Sequence, residues 1–251
     1  MIKNCSHCKI EIEVADTIPL MGIDISKYGV ICPACEIVRD QKIADELREE
    51  TERTRNKLVN KILKFAPKKA VETGKALPNG DLLTQLKKWF MGDEWCFFLT
   101  GTVGTGKTTH ACALIYGVLN NHFQFVDKLT KVDALAHLNA TPSDLIAITT
   151  TDLVADVQST YSDQKINSED IVAKYKSCKF LVLDDLGDEK EKEDAIDIIT
   201  TVLFHRHRED LKTLITSNCR DVETKYGTRI ASRLSEAETF ILDGNDMRLS
   251  K

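Results

Sequence analysis

The chain has 251 residues, of which 42% are hydrophobic and 29% charged, and it carries a formal net charge of -5. That apolar content suffices for one or two packed domains, and the acidic balance confines any nucleic-acid contact to a local basic patch. No run of about 18 apolar residues occurs, which argues against a membrane-spanning helix, and residues 1–8 lack the apolar core of a signal peptide. A cytoplasmic, reducing location is therefore expected.

In a reducing compartment, paired cysteines read as metal ligands before they read as disulfides. Cys5-Ser-His-Cys8 and Cys32-Pro-Ala-Cys35 form two C-x₂-C knuckles separated by 23 residues, positions 9–31. The pattern resembles a zinc ribbon, with a spacer slightly longer than usual. Cys5, Cys8, Cys32 and Cys35 supply the four thiolates that close a tetrahedral Zn²⁺ site. His7 is the alternative ligand. With no open coordination position, the metal is read as structural. A module of residues 1–36 is too small to hold itself together by burial, so the metal would supply its folding energy.

Residues 36–65 read as a long helix with few breakers. Ile37, Val38, Ala44 and Leu47 give it an apolar start, and Leu58, Val59, Ile62, Leu63 and Phe65 an apolar end. Arg48 to Lys57 is polar, so the helix is expected to pack at both ends and be solvated between. The tail of this helix and the residues just beyond it are basic (Arg53, Arg55, Lys57, Lys61, Lys64, Lys68, Lys69), a pattern read first as a solvated face and second as a phosphate-contacting patch. Pro67 and the stretch 74–80 read as a linker. Residues 37–76 are thus a helical connector, and 77–251 the main domain.

That domain opens with a short amphipathic helix over 82–91. An apolar strand, Trp95-Cys-Phe-Phe-Leu99, leads into Gly101-Thr102-Val103-Gly104-Thr105-Gly106-Lys107-Thr108-Thr109. This fits G-x-x-x-x-G-K-[ST] between a strand and a helix over 109–119, the context that the motif requires. Glycines let successive N–H groups point at phosphate oxygens, and the helix N-terminus attracts the same anion. Lys107 would reach the β- and γ-phosphates and Thr108 would ligate Mg²⁺.

Residues 122–141 fit neither period and are read as an insertion with a short helix over 132–138. Next come a strand over 145–149, a helix over 151–161 and a short helix over 167–175 with Ser168 as N-cap. Phe180-Leu-Val-Leu-Asp184-Asp185 reads as a buried parallel strand with two acids at its C-terminal end, where ligands bind in open α/β sheets. Asp184 is assigned to magnesium, and Asp185 to orienting or deprotonating the attacking water. A helix over 195–208 precedes a strand over 214–218, whose final amide, Asn218, would face the γ-phosphate or the water. A single helix over 224–236 carries Arg229 and Arg233 on one face. A last strand over 240–242 precedes Met247-Arg248.

These landmarks in this order resemble the AAA+ ATPases of the DnaC/DnaI helicase-loader group, with IstB-type transposition ATPases as relatives. The resemblance covers about 77–248. It rests on Gly101-Thr-Val-Gly-Thr-Gly-Lys-Thr108 (Walker A), Leu181-Val-Leu-Asp-Asp-Leu-Gly187 (Walker B), Thr216-Ser-Asn218 (sensor 1) and Gly227-Thr-Arg-Ile-Ala-Ser-Arg-Leu234 (the arginine-finger helix). It implies an α/β fold: a three-layer P-loop core with a five-stranded parallel sheet, preceded here by the zinc-ribbon-like module. It also implies an ATPase that is slow and dependent on assembly, with ATP or ADP and Mg²⁺ bound at residues 101–109 and 184. Asn218 would serve as sensor 1, Arg233 as the finger with Arg229 in reserve, and Arg248 as sensor 2. The implied partners are a replicative hexameric helicase, single-stranded DNA and further copies of the chain, with no membrane. The insertion departs from the compact group and suggests a divergent, phage-encoded member. The alternative reading is a transposition or target-selection ATPase of the IstB type.

Overall fold

The computed structural model of the chain describes residues 2–13, 31–78, 80–119, 138–162, 167–189, 193–219 and 221–246. They fall into two compact units, Met1–Asn56 and Lys57–Lys251. In the first, strands β1 (Ile2–Asn4) and β2 (Glu11–Glu13) pair antiparallel, with Ile2 opposite Glu13. Their connection is closed by Cys5 N donating to Ile10 O and Lys9 N to Cys5 O, with Lys9 in the left-handed region at φ 65°. Helix α1 (Pro33–Ile62) starts with proline at its first position, where the missing N–H is not needed. Ile37, Val38 and Leu47 are exposed, and among the described residues it is the far apolar end, at Val59 with Leu63 just beyond the helix, that is buried in a core. The expected packing at both ends of this helix is therefore found at one.

The second unit continues with α2 (Lys68–Ala76), α3 (Asp81–Met91), β3 (Cys96–Thr100) and α4 (Lys107–Leu119), then β4 (Leu145–Thr149), α5 (Thr150–Ser159) and α6 (Ser168–Ser177). It closes with β5 (Phe180–Leu186), α7 (Glu193–Arg208), β6 (Lys212–Ser217), α8 (Val222–Tyr226), α9 (Thr228–Ser235) and β7 (Glu238–Ile241). The five strands form one parallel sheet in the order β4-β5-β6-β3-β7. Period-two alternation sends successive residues to opposite faces. Phe97, Leu99, Phe180, Val182 and Leu214 join one core with α3, α4 and the end of α1. Cys96, Phe98, Leu181, Leu183 and Ile215 join another with α5, α6, α7 and α9. The result is the expected three-layer α/β arrangement, with helices on both faces of strands that read as continuous apolar runs.

Three local readings change. Residues 74–76 close α2 and do not belong to a linker: a Cβ on Gly74 would lie 2.7 Å from Thr109 O and 2.9 Å from Cys112 Cβ, so α2 packs directly on the phosphate-loop helix. The N-cap of α6 is Asn167, whose side chain accepts from Glu169 N at 3.0 Å, and not Ser168. The helix expected over 224–236 is two, because Gly227 at φ 80° breaks it. Residues 132–137 of the short helix expected over 132–138, and Arg248, lie outside the described residues.

A buried arginine ties the second layer together. Arg206, in the last turn of α7, is fully buried and donates to the carbonyls of Tyr175, Cys178 and Lys212 and to Thr213 Oγ1, at 2.7–3.0 Å. It thereby caps the end of α6 and fixes the start of β6.

Candidate functional site

The phosphate-loop motif leaves the C-terminal end of β3 and enters α4 at Lys107, two residues earlier than the sequence pattern places the helix start. Gly101, Gly104 and Gly106 all have positive φ, at 139°, 80° and 94°. Glycine is needed at 101 and 104 for space as well: a Cβ would meet Leu242 O at 2.2 Å and the Asp246 carboxylate at 1.9 Å. Thr105 Oγ1 donates to Thr102 O at 2.9 Å and braces the curl, while Val103 is exposed at its tip. The segment 242–246 runs along the loop, with Leu242 N donating to Thr100 O and Thr102 Oγ1 donating to Gly244 O at 3.1 Å.

Lys107 is buried, and its Nζ donates to Gly101 O at 3.0 Å and Thr102 O at 2.7 Å. Thr108 Oγ1 donates to the Asp184 carboxylate, 3.2 and 3.1 Å from its two oxygens. The first turn of α4 and the end of β5 therefore meet, as the two motifs require. Asp184 is 1% exposed and also accepts from Thr216 Oγ1 at 2.6 Å. Burial, and then the charge of Asp185, push its pKa up to about 7 against the pull of Thr216, Thr108 and Lys107. A buried carboxylate facing a hydroxyl is an all-oxygen donor pair that suits Mg²⁺.

Asp185 sits at a break in the β5–β6 register between Leu183 and Leu186. Its backbone is left-handed at φ 56°, a conformation disfavoured for a non-glycine residue and concentrated at functional sites. Two hydroxyls hold it there: Asp185 N donates to Thr216 Oγ1 at 3.0 Å, and Thr150 Oγ1 donates to Asp185 O at 2.8 Å. The bulge turns adjacent acids apart, so that Asp184 faces Thr108 while the Asp185 carboxylate lies 3.5 Å from Asn218 Nδ2. Sequence reasoning gives Thr150 and Thr216 no individual role. The available signal was a hydroxyl at, or one residue past, the end of each strand flanking β5.

Lys107, Thr108, Asp184, Asp185 and Asn218 are thus gathered at one end of the sheet. The helix arginines point elsewhere. Arg229 is exposed, and Arg233 lies with its guanidinium 3.9 Å over the Phe204 ring, donating to Arg229 O at 2.8 Å. It lines a shallow cleft with Lys176, Phe204, His205 and Arg208, beside the last turn of α7. That turn lies where the strands begin, as the edge contact of His207 with Trp95 shows.

In the first unit, Cys5, Cys8, Cys32 and Cys35 place their Sγ atoms within 4.8 Å of one another, with Cys8 and Cys32 at 3.6 Å. A tetrahedral zinc with bonds of about 2.3 Å needs edges of about 3.8 Å, which fits this set. The backbone N–H groups of Cys32 and Cys8 pull the Cys5 thiol down to about 5, and sulfur contacts led by Cys8 push Cys35 up to about 12. His7 is not part of the cluster.

No protein-family model matches the sequence, and no curated protein does. Similar solved structures include a DNA replication initiation factor at 16% identity and TM-score 0.52, covering 71% of this chain and 50% of the other. AMPPCP-bound DnaA from Aquifex aeolicus matches at 17% and 0.51, covering 71% and 51%. DnaI matches at 19% and 0.50, covering 71% and 94%. The chain spans about half the length of the first two. Among the described residues no helix is long and apolar enough to cross a membrane. The parallel sheet with its glycine loop and paired acids has the AAA+ fold of the DnaI and DnaA kind.

Proposed function

We propose that the chain is an ATP-dependent loader of a replicative hexameric helicase, binding the helicase through the cysteine module of residues 1–36 and single-stranded DNA through an assembled AAA+ core. The observation that carries the reading is the joining in one chain of a four-cysteine cluster and an AAA+ core whose likeness extends over 94% of a DnaI structure.

In this reading ATP lies along residues 101–109, with Lys107 exchanging its two carbonyl partners for β- and γ-phosphate oxygens. Thr108 and Asp184 would hold Mg²⁺, which when bound neutralises charge on the phosphates. Asp185, set by the bulge and steadied by Thr150 and Thr216, would orient or deprotonate the water that attacks the γ-phosphorus. Asn218 would steady the same water or the γ-phosphate. Arg233 of an adjoining copy, or Arg229 in its place, would approach the γ-phosphate and stabilise the charge that develops there, so that hydrolysis depends on assembly. Zinc held by Cys5, Cys8, Cys32 and Cys35 would be structural.

The test is size-exclusion chromatography of the full chain mixed with its host's replicative helicase, with and without ATP and magnesium. Co-elution is expected in at least one nucleotide state and should be lost with Cys5→Ser. Separate elution in every state overturns the loader reading.

A further inference from the structure

β5 ends at Leu186, and Gly187 turns the chain at φ 108° into Glu189, a carboxylate only 4% exposed. Glu189 Oε2 accepts from Gly187 N at 3.1 Å, and Oε1 accepts from the Tyr226 hydroxyl and lies 3.2 Å from Lys225 Nζ. Lys225 also donates to the carbonyls of Gly187 and Glu189. The turn after the paired acids is thus bound to the last two residues of α8. One residue on, Gly227 leads into α9, the helix of Arg229 and Arg233, which Ile230 and Leu234 anchor in the second core layer.

A buried ion pair is a costly way to join two loops. Apolar residues of similar volume often do it with equal or greater stability. What the polar cluster supplies is direction, since a carboxylate with three fixed donors sets the entry of α9 against the turn after Asp185 more tightly than packing does. The neighbouring exit of β6 is sewn to the same turn by Ser217 Oγ donating to Leu186 O at 2.6 Å, and a Cβ on Gly187 would come 2.9 Å from Cys219 Cβ. The turn after the paired acids and the helix of Arg229 and Arg233 therefore share one junction.

We propose that Glu189, clamped by Tyr226 and Lys225, is a positioning residue that sets the arginine helix for hydrolysis in the neighbouring copy. The proposal rests on the reading that Arg233 acts on an adjoining copy's nucleotide, and the experiment separates the two. Full-length Arg233→Ala chains keep a phosphate loop but offer no finger, and serve as acceptors. Full-length Lys107→Ala chains offer a finger but bind no nucleotide, and serve as donors. ATP turnover of the mixture is measured on single-stranded DNA. Donors should raise acceptor turnover at least tenfold.

Donors that also carry Glu189→Gln or Tyr226→Phe should lose most of that stimulation while the acceptor's KM for ATP is unchanged. Glu189→Met donors, matched for volume, leave Lys225, the Tyr226 hydroxyl and Gly187 N without their acceptor and should melt lower than the parent donor, whereas Tyr226→Phe donors, which keep the Glu189–Lys225 pair, should melt close to it and yet fail to stimulate. Full stimulation by the Glu189→Gln, Tyr226→Phe or Glu189→Met donors overturns the positioning role. If the Lys107→Ala donors themselves do not stimulate, the trans-acting arginine is overturned and the proposal falls with it.

Discussion

Thr216 stands between the two acids of the candidate site, its hydroxyl donating to Asp184 Oδ1 at 2.6 Å and accepting from Asp185 N at 3.0 Å. One side chain therefore holds both the carboxylate that faces Thr108 and the strained backbone that redirects Asp185. Thr216→Val keeps the shape and removes both bonds. A buried polar group left unpaired costs about 1–3 kcal/mol, so magnesium-dependent ATP affinity or turnover should fall roughly tenfold or more. Thr216→Ser should stay near the parent. Titration with a fluorescent ATP analogue, with and without magnesium, checks this, and a Val variant that behaves like the parent removes Thr216 from the site.

The strands and the site residues were legible for different reasons. Phe180 to Leu183 and Phe97 to Leu99 are apolar without alternation because both faces of the sheet are covered, and that pattern is visible in one dimension. Lys107 and Asp184 were legible because their residue types at those places serve no packing purpose. Thr216 and Thr150 were not, because a threonine in a strand, or at the start of the helix that follows one, suits ordinary secondary structure as well as it suits a site. The break at Gly227 was hidden by helix-forming residues on both sides. Gly74 was read as part of a linker when it is glycine for closeness, a property of the partner surface that its own sequence neighbours do not carry.

Lys107→Ala removes the one cation of the glycine loop. Charge-assisted hydrogen bonds contribute about 1.5–3 kcal/mol each, so ATP affinity should drop by about 10- to 150-fold. Lys107 donates to the Gly101 and Thr102 carbonyls of its own loop, and far-UV circular dichroism should be unchanged. Calorimetric titration decides the matter, and parent-like affinity contradicts the assignment.

Gly74→Ala tests whether α2 belongs to the core. Alanine raises helix propensity by about 1 kcal/mol over glycine, which favours the variant if the surface is open. Against it, the new methyl meets a backbone oxygen of α4, Thr109 O, at 2.7 Å, and neither helix can yield without repacking. Overpacking of this kind costs about 1–3 kcal/mol, so the variant should unfold at lower urea with an unchanged slope. A stabilised variant would mean that α2 is loosely held.

Arg206→Met should be among the most damaging single changes outside the site. The guanidinium satisfies three carbonyls and a hydroxyl at the junction of α6, α7 and β6, and a thioether satisfies none. Leaving those acceptors buried and unpaired should cost about 3–5 kcal/mol. Arg206→Lys should recover only part, because an ammonium cannot reproduce the planar fork. Urea unfolding monitored by tryptophan fluorescence reads both, since Trp89 and Trp95 lie in the two cores.

Removing zinc should separate the two units. The first has few buried side chains among its described residues, Cys5 being the one apolar member of its core, so the metal would provide most of its folding free energy. Its four cysteines should become reactive to a thiol reagent once a chelator is added. The second unit has two layers of buried apolar residues of its own. Its ATP affinity and melting transition should therefore survive chelation, while any helicase binding is lost. A fall in ATP affinity that tracks zinc release would instead mean that the cysteine module supports the nucleotide site directly.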